Sequence, residues 1–138
     1  MTRSIIITSI DHERLLKLVN QEREFGMNKN RKYLRDLEQE LNRASIVPSE
    51  QIPPGIITMN SRILLRDLDT GEEMTYVLVY PEDASLIEDK ISVLAPIGTA
   101  ILGFREGDII DWEIPNGKIK LKVEKILYQP EAAGNFEL

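Results

Sequence analysis

The sequence has 138 residues, of which 42% are apolar and 29% are charged, and this composition is ordinary for a single globular protein. It contains no cysteine, which excludes disulfides, thiol nucleophiles and thiolate metal sites. The net charge of −6 argues against non-specific binding to nucleic acid, because such binding relies on many Lys and Arg side chains that neutralise phosphates.

The N-terminal segment predicts an extended strand. Its apolar run at residues 5–7 is shorter than the apolar core of a signal peptide, which has about 7–15 residues. No stretch approaches the ~18 consecutive apolar residues of a membrane span. We therefore expect a cytoplasmic protein that does not contact a membrane.

Two helices are predicted next, and together they form a hairpin over residues 1–47. A capping residue (Thr8, Ser9 or Asp11) precedes a helical run that continues to about Phe25. Residues 26–30 contain Gly and Asn and indicate a break. The second helix covers about residues 31–44, and its apolar residues are spaced by 3 or 4 positions, as in a coiled-coil seam: Leu34, Leu37, Leu41 and Ala44.

The rest of the chain predicts a second domain over residues 48–138, made mainly of strands. Prolines at 48, 53 and 54 mark residues 46–55 as a linker without a helix. Strands are then expected at 63–68 and 74–80, at 91–94, and at 109–114 and 118–128. The last pair surrounds Asn116-Gly117, the dipeptide most typical of a β-hairpin turn. A short helix is predicted from Pro96 to Leu102, because Pro is favoured at the first helical position.

The sequence offers little for catalysis or metal binding. It has no phosphate-binding loop, dinucleotide fingerprint or nucleophile-elbow motif. The lone histidine, His12, is interpreted as a helix-surface residue. Asp67 and Asp69 flank a turn and are interpreted as turn formers. We therefore expect no catalytic residue, no metal site and no cofactor.

One long segment resembles a known family. Residues 91–118 resemble the C-terminal domain of the Gre transcript-cleavage factors, with a strand, a Pro-led helix, a Gly-Asp turn and a hairpin in that order. Residues 58–62, 78–81 and 128–138 narrow the resemblance to the Rnk family, known as regulators of nucleoside diphosphate kinase. The resemblance implies an α+β fold, in which a short N-terminal antiparallel coiled-coil hairpin precedes an FKBP-like antiparallel sheet domain of the Gre C-terminal type.

The resemblance also implies a partner, the core of bacterial RNA polymerase. Gre-like proteins grip the rim of the polymerase secondary channel with the C-terminal domain and insert the coiled coil. On this basis the rim-docking residues are Ala95, Pro96, Ile97 and Gly98. The alternative is that this loop is a plain helix start packed on the sheet. We expect a monomer that competes with Gre factors and does not read DNA sequence.

The hairpin tip departs from the Gre pattern. In the Gre factors two acidic residues at the tip complete a magnesium site, but residues 26–30 here include no carboxylate. Residues 23–35 carry five basic and one acidic side chain, a net charge of +4, which repels a metal ion. The chain is therefore expected not to be an enzyme. Arg23, Lys29, Arg31 and Lys32 are predicted to contact the secondary channel, with a solvated helix face as the alternative.

Two other functions remain open from the sequence. An FKBP-like domain suggests a peptidyl-prolyl isomerase, whose site is an apolar pocket lined by aromatic side chains. The family name suggests direct control of nucleoside diphosphate kinase, although control of transcription would produce the same effect indirectly.

Overall fold

The computed structural model describes residues 5–25, 31–114 and 117–135. The chain begins with strand β1 (Ile6–Thr8), helix α1 (Ser9–Phe25), helix α2 (Arg31–Arg43) and strand β2 (Ser45–Val47). Strands β1 and β2 pair in parallel, with Ile7 opposite Ile46. They close the base of the helical hairpin, so both ends of the hairpin are tied at the same place.

The predicted seam between the two helices is buried. Leu15 and Val19 of α1 and Leu37 and Leu41 of α2 are at most 1% exposed. Of the three candidate caps, Thr8 is the one observed: its Oγ1 accepts the backbone N–H of Asp11 at 3.1 Å, which satisfies a free donor at the helix start. Of the four predicted α2 positions, Leu37 and Leu41 are therefore buried, while Leu34 and Ala44 are partly buried, and coiled-coil packing of the two helices stays a prediction.

The predicted linker is more structured than expected. Residues 45–47 form β2, and Ser49–Gln51 form a 3₁₀ turn. A strand of three residues is too short to show an alternating pattern. Its partner β1 precedes both helices in the sequence, so only the tertiary fold brings the two strands together.

A five-stranded sheet forms the rest of the molecule, in the order β5-β4-β3-β7-β6. The strands and the third helix confirm the predicted elements within one or two residues. They are β3 (Arg62–Asp67), β4 (Glu73–Val79), β5 (Lys90–Ser92), α3 (Pro96–Ile101), β6 (Ile109–Ile114) and β7 (Gly117–Tyr128). The hairpin of β6 and β7 closes on the pair Ile114–Gly117, and residues 115–116 lie outside the described residues.

The expectation of a fully antiparallel sheet is wrong at one edge. Strand β5 pairs with β4 in parallel, with Leu78 opposite Ile91. After β4 the chain passes through a 3₁₀ turn at Pro81–Asp83 and returns toward the start of β4. Strand β5 then runs along the sheet edge in the same direction as β4. The sequence of β5 does not show that this pairing is parallel, because the direction of a strand depends on the path of the connection that precedes it. The FKBP likeness stays a prediction.

The buried apolar residues form one continuous cluster that includes both the hairpin and the sheet. From the hairpin come Ile5, Ile7, Leu15, Val19, Leu37 and Leu41; from the sheet and α3 come Ile63, Leu65, Leu78, Ile101, Ile110, Leu121 and Val123. Whether residues 1–47 and 48–138 fold as separate domains stays a prediction.

Gly103, which follows helix α3, lies in direct contact with Ile5 at the start of the described chain. Gly103 has a φ of +80°, and a Cβ built on it would lie 2.5 Å from the Cβ of Ile5. Contacts of this length do not occur between real side chains, so only glycine permits the approach. Ile5 is 2% exposed, and the base of the hairpin is therefore packed directly against the end of α3. Among the described helices, none is long and apolar enough to cross a membrane.

Candidate functional site

The loop predicted to dock on the rim is held by its own hydrogen bonds. Ser92 accepts from two backbone N–H groups: its Oγ binds that of Leu94 at 3.0 Å, and its carbonyl binds that of Ala95 at 3.0 Å. The Thr99 hydroxyl donates to the Val93 carbonyl at 2.6 Å. The turn from β5 into α3 is consequently fixed before any partner arrives.

The four predicted rim residues do not all face outward. Gly98 is buried, and a Cβ on it would lie 2.1 Å from the carbonyl oxygen of Ser92. Glycine therefore lets α3 pack on the backbone before it. Ala95 and Ile97 are half-buried, Ile97 packs against the core, and Pro96 begins α3. Among the four residues, the side chain of Pro96 lies outside the description, and Ala95 and part of Ile97 are the described surface of this loop.

The predicted tip residues cannot be placed as a contact surface. Arg23 lies in α1, and Arg31 and Lys32 begin α2, but their side chains are outside the description. Lys29 lies outside the described residues. The role of these four residues stays a prediction.

A polar junction that the sequence analysis missed joins α1 to the sheet. The Asp11 carboxylate accepts from the Met59 backbone N–H at 3.3 Å and from the Tyr80 hydroxyl at 3.4 Å. Burial raises the pKa of Asp11 to about 6, with a smaller contribution from the negative charge of Glu131. Burial, followed by the charge of Asp11, also raises the pKa of Tyr80.

The C-terminal tail closes the same junction. The Gln129 Nε2 donates to the carbonyls of Pro53 and Ile56 at 2.9 and 2.7 Å. The Thr58 hydroxyl donates to a carboxylate oxygen of Glu131 at 2.7 Å. One residue from each of the three segments that suggested the Rnk family, at 58–62, 78–81 and 128–138, therefore lies near Asp11: Met59, Tyr80 and Glu131. No local pattern in the sequence connects Asp11 with these segments, because all three lie far from it along the chain.

The other polar candidates have structural roles. His12 is half-buried, and its Nε2 donates to the Leu41 carbonyl at 3.0 Å, so it ties α1 to α2 and is more than a surface residue. Asp67 Oδ1 accepts from the N–H groups of Asp69 and Thr70, which confirms that Asp67 forms the turn. The described parts of the chain contain no group of three or more metal-ligating side chains.

One cleft lies between α1 and the end of β4. It encloses about 260 Å³, and its lining contains one aromatic side chain among mainly charged and polar ones: Arg14, Lys17, Leu18, Gln21, Tyr80, Pro81 and Glu82. This lining differs from the apolar, aromatic-lined pocket that an isomerase requires.

A second surface feature precedes β5. Leu86 and Ile87 are 94% and 96% exposed, far more than the other large apolar residues of the described chain. The sequence predicts a loop or a short helical turn over residues 82–90 and does not single out this pair. Two adjacent apolar residues among acidic ones were the signal for this feature.

Fold and site together define a class: a small α+β protein with a helical hairpin packed on a five-stranded sheet. The family model "Transcription elongation factor, GreA/GreB, C-term" matches residues 52–128, and the model "Rnk N-terminus" matches residues 3–47. The chain therefore belongs to the Rnk/Gre-like family of transcription factors.

Relatives support this assignment along the whole chain. The chain is 41% identical over 137 residues to the regulator of nucleoside diphosphate kinase of Escherichia coli strain K12, covering 98% of this chain and 97% of that protein. It is 30% identical to the transcription elongation factor GreA of Desulfotalea psychrophila, covering 87% and 83%. The solved structure of a prokaryotic transcription elongation factor GreA/GreB from Nitrosomonas europaea superimposes with a TM-score of 0.76 at 38% identity, covering 92% and 100%.

Proposed function

We propose that this protein binds the core of bacterial RNA polymerase in the cytoplasm, as a monomer, at the rim of the secondary channel. There it competes with Gre-type factors and does not stimulate transcript cleavage. The observation that carries the proposal is the match of residues 52–128 to the Gre C-terminal family, a range that includes the self-bonded loop before α3.

The loop suits docking because it is already ordered. Its hydrogen bonds to Ser92 and Val93 fix the backbone, so binding loses little conformational entropy. Ala95 and Ile97 present a small apolar surface beside the rigid start of α3. Such a contact would position the hairpin without changing the fold of either partner.

The hairpin then acts by occupying space. Helix α2 has 13 residues, which corresponds to about 20 Å at ~1.5 Å per residue, so the arm is short. Its tip has no carboxylate at residues 26–30 and carries a net charge of +4 over residues 23–35. A magnesium ion needs carboxylate oxygens, and this arm supplies none there. Bound protein therefore excludes rivals by mass action.

Pull-down of purified core polymerase, with and without excess Gre factor, tests the proposal. We expect binding at micromolar concentration that Gre factor displaces. Ala95→Asp serves as the matched variant, because Asp is favoured at a helix N-cap and should keep α3 intact while placing a charge on the docking surface. It should weaken binding roughly tenfold. No binding by the wild type, or simultaneous binding with Gre factor, would contradict the proposal.

Cleavage is tested separately in backtracked complexes with magnesium, where shortening of the RNA is measured. We expect the rate of polymerase alone, with a Gre factor as the positive control. Cleavage well above that rate would show that the basic tip supports catalysis after all.

A second candidate follows from the name of the Escherichia coli relative, which is a regulator of nucleoside diphosphate kinase. Direct control requires a complex between the two proteins. Purified kinase assayed with and without this protein distinguishes the candidates: unchanged kinase activity supports control through transcription, and a change at stoichiometric concentrations supports a direct complex.

A further inference from the structure

The turn that carries Leu86 and Ile87 is rigid. Ser85 and Lys90 exchange both backbone hydrogen bonds at 2.9 Å, and the Ser85 Oγ accepts the N–H of Glu88 at 3.3 Å. Lys90 also forms an ion pair with Glu88 at 3.3 Å. The chain reverses through Asp89, whose φ is +57°. These bonds fix the tip of the turn, so the two apolar side chains project from an ordered support.

The exposure of this pair is unusual. Single apolar residues at a surface need no explanation, but two neighbouring large ones that are almost fully exposed mark a contact site. Neither side chain belongs to the core cluster or its partly buried rim. Because these two side chains do not pack in the core, we expect them to act by contacting another molecule.

The charge around the pair specifies the partner. Glu82, Asp83, Glu88 and Asp89 are all exposed, and Lys90 is the single base between residues 82 and 90. This acidic surrounding repels nucleic acid and anionic lipid. It favours a protein surface on which Lys or Arg side chains border an apolar pocket, since opposite potentials across an interface steer association.

The turn and the predicted rim loop lie at the two ends of one short strand. Strand β5 (Lys90–Ser92) and Val93 separate the turn from Leu94 and Ala95, and four extended residues span about 13 Å. An interface of ordinary size buries about 800 Å² on each partner, which is wide enough to cover both. One partner surface can therefore contact the turn and the loop together.

We propose that Leu86 and Ile87 anchor this protein in an apolar pocket of its partner, with the exposed acidic side chains on either side of the pair facing basic residues at the rim of that pocket. The proposal rests on the proposed function in one respect: the partner is the core of RNA polymerase. Leu86 and Ile87 provide affinity by burial, and the acidic residues provide orientation and speed of encounter.

The test compares the affinity of full-length variants for core polymerase. L86S/I87S should weaken binding roughly tenfold to a hundredfold, since each apolar side chain loses its burial in the complex. Its thermal unfolding should be unchanged, because both side chains are exposed in the free protein. Leu68→Ser is the matched control: Leu68 is 40% exposed on the β3–β4 turn, and this change should leave affinity unaltered.

The charges are tested by E82K/D83K, with D69K/E72K as the control of equal charge change on the β3–β4 turn, where both residues are exposed. We expect E82K/D83K to slow association and to weaken the dependence of association on salt. D69K/E72K should have a clearly smaller effect.

The outcomes separate this inference from the proposed function. If wild type binds polymerase and L86S/I87S binds equally well, the anchor is wrong and rim docking stands. If wild type does not bind polymerase at all, both fail. If L86S/I87S instead converts a wild-type dimer to a monomer in sedimentation, with polymerase affinity unchanged, the pair contacts a second copy and the proposal is overturned.

Discussion

The two ends of the helical hairpin differ in what holds them. At the base, Ile5 and Ile7 are buried, Ile5 lies against Gly103, and Asp11 is bonded to the Met59 backbone. Farther along the arm, residues such as Asn20 and Arg35 are exposed. The base is thus part of the core of the whole protein, whereas the distal part depends on the seam between the helices.

This difference bears on how such a protein works. A base locked into the sheet fixes the direction of the arm, which the proposed occupation of the polymerase channel requires. An arm attached by a flexible linker would lose orientation and would pay more entropy on insertion. The hairpin and the docking loop are therefore related geometrically through the core that lies between them.

The largest expected effect tests whether the seam is coupled to the sheet. Leu37 is fully buried, so Leu37→Ala should lower the free energy of unfolding by about 3–4 kcal/mol. Because the buried cluster is continuous, we expect residue-resolved hydrogen exchange to increase both in α1 and α2 and in residues 62–128. Loss of protection confined to residues 9–43 would instead support a separate domain over residues 1–47.

A second prediction isolates the contact at the base. Gly103→Ala places a Cβ against Ile5 and should destabilise the protein by about 3 kcal/mol, through the clash and the positive φ together. Gly107 also has a positive φ, of +91°, but nothing lies within 4 Å of its Cβ position. Gly107→Ala should therefore cost only about 1 kcal/mol. Equal losses of stability in urea unfolding would show that Ile5 moves aside.

The junction at Asp11 should make stability depend on pH. Since burial raises the pKa of Asp11 from 3.8 to about 6, the folded state holds this proton more tightly than the unfolded state. Its contribution is fully present below about pH 4 and is lost as the pH rises through about 6, which amounts to about 3 kcal/mol. Asp11→Asn keeps an acceptor for the Met59 N–H and should abolish this part of the pH dependence in thermal unfolding.

The result that would contradict the Asp11 prediction is a wild type and an Asp11→Asn variant whose stabilities run parallel from pH 4 to pH 7. Glu131 contributes to the same shift. Glu131→Gln therefore serves as the companion variant, and it should reduce the pH dependence only in part.

The smallest expected effect concerns the hydrogen bond that joins His12 of α1 to α2. His12→Ala removes the hydrogen bond to the Leu41 carbonyl and should cost about 1 kcal/mol. Because the bond lies near the base, where the core already holds both helices, exchange should increase only in the residues around it. A loss as large as that of Leu37→Ala would mean that this bond, and not the seam, holds the hairpin.

Much of the secondary structure could be predicted because its causes are local. The 3- and 4-residue spacing of Leu37 and Leu41 and the Pro at the start of α3 act within a few residues of themselves. The boundaries of β3, β4, β6 and β7 followed for the same reason. Less could be predicted at the candidate site: the start of α3 at Pro96 was predicted, but the inward position of Gly98 was not, because it depends on how α3 packs against Ser92.

The sequence by itself therefore determined the helices, most strands, the family and the absence of carboxylates at residues 26–30. Tertiary structure alone decided the pairing of β1 with β2, the parallel edge strand β5, the meeting of Ile5 with Gly103 and the burial of Asp11. It also decided that Leu86 and Ile87 are exposed and not buried. Each of these depends on contacts between residues far apart in the chain, and apolarity or charge at one position does not specify which distant surface it will meet.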